Sequence, residues 1–325
     1  MSSTIPSSTL RDHLSGGVAQ LLSRLLAVIL LCLALGVLSD AFLTRGNVLN
    51  VLRQTSLLFF MASGLTLVII TGGLDLSVGT TIAFAACLAG TAIKTSGEPL
   101  IGVAVGLGAG MAVGLCNGLM VAFLRIPSFI ATYGMLWILQ GVAYGYMGGQ
   151  AVYGFPRGFR LLGNGLLFGI PVPILIMGVF LVLGELFAAR TIWGQQIYAI
   201  GANSVAARLS GVPVKRRLML AYLISGAMAG FASLVFLARL NSAEADIGAD
   251  LTLPAIAAVL IGGASLFGGV GTIGGTFIGA LLLTIVLNGM NLLGIEAPWQ
   301  PLVMGVIIIA AVWLDLRAGA AAKVT

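Results

Sequence analysis

The sequence predicts an all-α integral membrane protein of about ten transmembrane helices, some of them broken by glycine. Three observations carry that reading. Of 325 residues, 59% are hydrophobic and only 8% charged, whereas a soluble domain carries roughly 25% charged residues. Apolar runs recur along the whole chain, at 25–38, 57–70, 80–93, 101–124, 174–189, 218–237 and 303–314. Several approach the roughly 20 residues that cross a bilayer as helix, and lipid admits only elements that satisfy their own backbone groups. Shorter apolar stretches at 129–146, 254–262 and 272–292 complete the set. Glycine blurs the boundaries, so a count of about eight or nine also stays open.

Taken in order, residues 1–18 are polar and rich in Ser and Thr, and are expected to form a disordered cytoplasmic tail. A retained first span fits the later spans better than a cleaved leader, although Arg11 and Arg24 precede an apolar run. The membrane domain then covers 19–317, and a short cytoplasmic tail covers 318–325. Between Arg190 and Arg217 the chain holds Arg190, Arg208, Lys215, Arg216 and Arg217 with no acid, which places this loop in the cytoplasm by the positive-inside rule. With six spans before the loop and four after it, both termini are cytoplasmic and Glu244, Asp246 and Asp250 lie outside. The net charge of +6 is then a matter of topology and implies no nucleic-acid partner. Cys32, Cys87 and Cys116 fall in apolar spans and read as small packing residues, while His13 stands alone, so no metal cluster is expected.

Two glycine stripes organise the spans. Gly102, Gly106, Gly110, Gly114 and Gly118 recur every fourth residue and present a smooth face on which another helix can pack closely. Gly271, Gly275 and Gly279 repeat the device. A faint internal echo accompanies them: Asn117-Gly118-Leu119 and Asn288-Gly289-Met290 stand at the same distance before Pro127 and Pro298. Opposite orientation of the two copies would make an inverted repeat, with a substrate path between the halves near the midplane.

The loop 193–217 reads WGQQIYAIGANSVAARLSGVPVKRR. Asn203 is a good N-cap, Ser204 to Ser210 can form a short helix, Gly211 can supply a left-handed end, and Pro213 prevents continuation. Such a capped helix is either an amphipathic connector or an element that inserts into a groove on a cytoplasmic partner. Asp75, in TGGLDLSVG, is the sharpest ionisable residue near a span, since an unpaired acid at the bilayer centre costs about 2.5–3.5 kcal/mol. Either Asp75 or Ser77 caps the next helix after a break at Gly72 and Gly73, or the acid has a gating role. Glu185 reads as an interfacial group.

Gly201-Ala202-Asn203, Ala206-Ala207-Arg208 and Ser210-Gly211 resemble the coupling loop of ribose-type permeases, the sugar branch of the ABC importer family that includes branched-chain amino acid permeases. Four further blocks agree: TGGLDLSVG at 71–79, GLCNGLMVAFLRIPSFIAT at 114–132, AIAAVLIGGASLFGGVGTIGG at 255–275 and NGMNLLG at 288–294. Together they cover most of 45–315, with Phe267 and Val270 as small departures. The resemblance implies a type II importer arrangement, with type I as runner-up, in the bacterial inner membrane. It also implies a cytoplasmic ABC ATPase, a periplasmic or extracellular sugar-binding protein, and a second permease copy or close paralogue. No Gly-x-x-x-x-Gly-Lys-Ser/Thr loop occurs, so ATP and Mg are expected on the partner ATPase and the chain itself is not expected to be an enzyme.

On that resemblance, Gly201, Ala202, Asn203, Ala206, Ala207, Arg208, Ser210 and Gly211 would couple to the ATPase. Asp75, Asn117, Phe129, Thr132, Gln140, Asn288 and Asn291 are candidates for the translocation path. The amides and the hydroxyl can equally bond a neighbouring helix. Phe129, Trp137 and Trp299 either stack on a sugar or belong to interfacial belts. Arg45, Arg53, Arg157 and Arg160 are candidates for docking the binding protein. A pentose or hexose is the expected cargo, with nucleosides, branched-chain amino acids and a signalling furanose as alternatives. An ion-coupled carrier would need buried ionisable relays, and the spans offer little beyond Asp75 and Glu185.

Overall fold

A computed structural model describes residues 8–322. The chain runs α1 (Ser8–Leu38), α2 (Arg45–Ile70), α3 (Val78–Ser96), α4 (Pro99–Ala122), α5 (Ser128–Met147), β1 (Val152–Tyr153), α6 (Arg157–Asn164), β2 (Leu166–Leu167) and β3 (Ile170–Pro171). It continues with α7 (Val172–Arg190), α8 (Ile192–Ala202), α9 (Ser204–Leu209), α10 (Val214–Leu240), β4 (Ser242–Ala243), α11 (Thr252–Ile261), α12 (Ile273–Leu292) and α13 (Gln300–Ala322). Among the described residues, six helices are long and apolar enough to cross a membrane: α2, α3, α4, α7, α10 and α12. With α1, α5, α11 and α13 the membrane helices reach the number read from the sequence.

Both ends of the chain are more helical than expected. Helix α1 starts at Ser8, inside the stretch assigned to a disordered tail. Leu10, Leu14, Val18 and Leu21 supply a helical apolar period there, which outweighs the Ser and Thr content. Helix α13 runs to Ala322, through most of the expected tail at 318–325, over an Ala-rich end that favours helix. Residues 1–7 and 323–325 of these two tails lie outside the described residues.

Helix α2 is the axis of the bundle. Every residue from Thr55 to Ile70 is buried, as expected for a helix apolar on all sides and surrounded by others. Its Phe59 and Phe60 join Phe180 of α7, Phe231 of α10 and Phe277 of α12 in an aromatic core, with Phe60 and Phe231 edge-to-face at 5.1 Å. The buried Thr66 and Thr276 hydroxyls, 2.7 Å apart, tie α2 to α12.

The first glycine stripe is a packing device. A Cβ on Gly110 would run into Gly226 and Gly230 of α10, one on Gly114 into Tyr222 and Gly226, and one on Gly118 into the Met219 backbone. Helices α4 and α10 therefore approach backbone to backbone. In the second stripe, Gly275 and Gly279 press α12 against α11, whereas Gly271 lies in the preceding loop. The echoed Asn117 and Asn288 both sit near the ends of their helices, yet they bond different partners.

At ten residues, α11 is about 15 Å long, half the hydrocarbon thickness. The chain before it descends along α3. Ala243 lies against Gly90, Gly248 against Ile82, and the Thr252 hydroxyl accepts the Gly79 N–H at 3.2 Å. Helix α11 thus begins inside the bundle and completes only half a crossing. Arg24 of α1 donates to the Gly262 carbonyl at 2.8 Å, closing its far end.

The two ends of the bundle differ in character. One, the basic end, carries α8, α9 and Arg190, Arg208, Lys215, Arg216 and Arg217. At the opposite end, β1 pairs antiparallel with β4, and β2 and β3 form a hairpin. The turn residues Phe168 and Gly169, at φ 53° and 77°, give it the primed twist that hairpins favour.

Candidate functional site

The break between α2 and α3 is the most polar place inside the bundle. Gly72, at φ 79°, turns the chain out of α2. Asp75 is buried, and its Oδ1 accepts the Ser77 backbone N–H at 3.0 Å and the Ser77 hydroxyl at 2.7 Å. Its Oδ2 accepts the Ser225 hydroxyl of α10 at 3.2 Å. The Asn117 amide of α4 donates to the Ser77 hydroxyl at 2.8 Å and lies 3.5 Å from Asp75 Oδ1, while the buried Asn117 Oδ1 has no partner. Thr132 of α5 accepts the Leu76 N–H at 3.1 Å, Ser128 accepts the Leu74 N–H at 3.2 Å, and Tyr222 donates to the Leu74 carbonyl at 3.2 Å. Asp75 therefore caps the turn that leads into α3. Ser77 occupies the N-cap position, where its carbonyl accepts the Thr81 N–H at 2.7 Å but its side chain makes no capping bond into the helix.

Side chains from α4, α5 and α10 thus fasten a break that would otherwise leave unpaired amides in an apolar interior. Of the expected path residues, Asp75, Asn117 and Thr132 meet here. Asn288 does not; it exchanges hydrogen bonds with Asn47 of α2 at 2.9 Å, at the opposite end. Asn291 is exposed and accepts from Gln300 at 2.8 Å. Both asparagines join helices. Phe129 is exposed on α5 and Gln140 is half-buried. Ser128, Tyr222 and Ser225 belong to the cluster but were not singled out in the sequence, since a hydroxyl in an apolar span gives no sign of where it points.

A second junction joins the break to the basic end. The Gly269 N–H donates to the carbonyl of Ile70, the last residue of α2, at 2.8 Å. Gly201 of α8 is wedged against both groups, leaving no room for a side chain. Gly268, at φ 85°, packs on Gly72 and Gly201. The Tyr198 phenol donates to the Gly271 carbonyl at 2.7 Å. Burial and the Glu185 carboxylate push that phenol up to about 12, so it remains a donor throughout the physiological range. Glu185 itself accepts the Gly274 N–H at 3.0 Å, at the start of α12, where a carboxylate is favoured. Its role is that of a helix cap, which the interfacial reading had not anticipated.

Beyond this clasp, α9 projects from the basic end. Asn203 caps it by accepting the N–H groups of Val205 and Ala206, both at 3.0 Å, and Gly211 adopts φ 83°. Ala202, Asn203, Ala206, Arg208, Ser210 and Gly211 are exposed, Ala207 is buried, and Gly201 faces inward. Val205 and Leu209, absent from the sequence-derived set, are 55% and 84% exposed on one face. The neighbouring Arg217 donates to Gln196 and lies over the Trp193 ring at 5.5 Å. At the opposite end Arg45, Arg157 and Arg160 are exposed and Arg53 is half-buried. The described residues contain no group of three or more His, Cys, Asp or Glu that could hold a metal ion, and Cys116 faces out of the bundle.

Residues 47–312 match the family described as branched-chain amino acid transport system / permease component. The chain is 40% identical over 295 residues to the ribose import permease protein of Escherichia coli (strain K12), covering 90% of this chain and 92% of that one. It is 37% identical over 306 residues to the ribose import permease protein of Bacillus subtilis (strain 168), covering 94% and 95%. The L-arabinose ABC transporter permease protein of Azospirillum brasilense is 35% identical over 305 residues, covering 92% and 89%. No solved structure matches. A helical bundle with a polar break, a projecting capped hairpin, and a match over four-fifths of its length belongs to the branched-chain amino acid transport system permease family.

Proposed function

We propose that the chain is the membrane-spanning permease subunit of a binding-protein-dependent ABC importer that moves a small sugar, a pentose or hexose, into the cytoplasm. ATP and Mg are bound by a separate ABC ATPase. The observation that carries the reading is the clasp at Gly201. It links a projecting helix, with Val205 and Leu209 on its free face, to the last carbonyl of α2 and to the loop between α11 and α12. Displacement of α9 by a closing ATPase would be passed by backbone contact to the end of α2. From there it reaches the Asp75 break, which holds α4, α5 and α10 together. Ribose and arabinose permeases among the relatives support a sugar as cargo.

In this arrangement the basic end is cytoplasmic, both termini with it, in a bacterial inner membrane. Arg45, Arg53, Arg157 and Arg160 face a periplasmic or extracellular sugar-binding protein, where rim charges steer docking. A second copy or a close paralogue completes the transporter. The test is uptake of labelled D-ribose, L-arabinose, a nucleoside and leucine into proteoliposomes holding this subunit, its ATPase and its binding protein. ATP-dependent accumulation of one sugar, lost without the ATPase, is expected. Accumulation driven by an ion gradient without ATP would overturn the reading and make Asp75 a coupling site.

A further inference from the structure

Helix α5 carries a face that does not suit lipid. Phe129, Tyr133, Trp137, Gln140 and Tyr144 fall within an arc of about 80° at 100° per residue. Phe129, Tyr133, Trp137 and Tyr144 are 54%, 46%, 58% and 47% exposed. Phe129 and Tyr133 stack in parallel at 6.0 Å, and Tyr133 meets Trp137 edge-to-face at 6.2 Å. Trp137 lies halfway along the helix, at bilayer depth, whereas Trp and Tyr facing lipid favour the two interfaces. The Tyr133 hydroxyl, the Trp137 N–H and the Gln140 amide have no hydrogen-bond partner among the described residues. The free face of α7 is what a lipid surface looks like in this protein: Val179, Val182, Leu183 and Leu186, all aliphatic.

Followed away from the basic end, the stripe leads into a cavity of about 180 Å³ shared with the β4 end of α10. Tyr144, Gln150, Tyr153, Glu244 and Asp246 line it, and their side chains likewise have no hydrogen-bond partners among the described residues. Carboxylates and an amide accept and donate to hydroxyl groups, and tyrosine rings offer flat apolar faces. Few solutes use both properties at once, and a sugar ring, with hydroxyls at its edge and C–H groups on its faces, is one that does.

We propose that this cavity is an entry site for a neutral, polyhydroxylated solute of monosaccharide size, and that the α5 stripe is the wall along which it passes. The proposal rests on the importer reading. Weak successive contacts, and no single tight one, are what conduction requires of such a wall, and a second copy facing α5 would close it against lipid.

The test uses the complete importer in vesicles with Trp137 as the sole tryptophan of this chain, made by Trp193→Phe, Trp299→Phe and Trp313→Phe, and reads its signal as the difference from the same assembly carrying Trp137→Phe as well. Acrylamide in the water is expected to quench its fluorescence, and phosphatidylcholine brominated at the bilayer centre to leave it largely unquenched. In parallel, Glu244→Gln with Asp246→Asn, and separately Tyr133→Leu with Trp137→Leu, are expected to lower D-ribose or L-arabinose uptake about tenfold with normal membrane insertion. Strong quenching by the brominated lipid, or uptake at the unsubstituted level in either double variant, overturns the proposal. Failure of the importer reading would instead appear as absent ATP-driven uptake in the unsubstituted protein.

Discussion

Gly201→Ala probes the clasp between the projecting hairpin and the core. A Cβ there would overlap the Ile70 carbonyl oxygen and the Gly269 amide nitrogen, and would stand 3.0 Å from the Ile70 carbonyl carbon. All three are backbone atoms, so no side-chain rotation relieves the clash. Either the Gly269 to Ile70 hydrogen bond opens, leaving a buried donor unpaired at about 1–3 kcal/mol, or the loop is displaced at an overpacking cost of about 1–3 kcal/mol. Either route alone costs about 1–3 kcal/mol and the two together about 2–6 kcal/mol, a large part of a membrane domain's margin that falls short of preventing insertion. The expected result is a lower apparent melting temperature in detergent, with ATP hydrolysis poorly converted into sugar uptake. Gly211→Ala is the comparison: its φ of 83° is strained for alanine, yet nothing lies within 4 Å of the added carbon, so about 1 kcal/mol is expected. A Gly201→Ala protein that melts and transports like the parent would refute the clasp and the coupling route drawn through it.

Ser225→Ala removes the partner of Asp75 Oδ2 and should cost about 1–3 kcal/mol in thermal stability; an unchanged melting curve would mean the acid is not held as described. Asn203→Ala strips the cap from α9, a loss of about 1 kcal/mol, and should weaken ATPase coupling more than stability; full coupling would assign α9 a connector role. A cysteine replacing Ser204 should react with impermeant thiol reagents only from the cytoplasmic side, and labelling of intact cells would invert the topology. Tyr198 has a raised folded value, about 12, against about 10 in the unfolded chain. This phenol's contribution to folding stability is therefore fully present below about pH 10 and is lost as pH climbs toward 12, because the unfolded phenol ionises first. Phenolate absorbance should show a tyrosine step near pH 12, and Tyr198→Phe should reduce its amplitude by one residue.

Much of this architecture follows from residues close together in the chain. The apolar runs, the acid-free basic stretch and the spacing of Asn203, Gly211 and Pro213 are local properties. They determine helix number, the position of the projecting hairpin and its capping, because backbone hydrogen bonds in lipid must be satisfied within each segment. The close-packing role of the 102–118 glycine stripe was legible for the same reason: a four-residue repeat marks one face of one helix. Its partner on α10 was not, since Gly226 and Gly230 are read only once the two helices are brought together.

Other features depend on which helices become neighbours. Asp75 and Asn117 could be marked as polar residues in apolar surroundings, but Ser225 completes the cluster from 150 positions away. Asn288 looked like Asn117 in the sequence and instead joins α12 to α2. The half-length of α11 reflects where the 243–252 segment descends along α3, which its own composition does not state. Gly201 read as part of a partner-facing motif, and it is the neighbouring Ile70 and Gly269 that turn it inward. The sequence alone determined that this is a polytopic helical membrane protein with a capped basic hairpin, since each span must satisfy its own backbone. Only the tertiary structure decided which polar groups meet and which faces stay free, because those depend on contacts between residues that the chain itself keeps far apart.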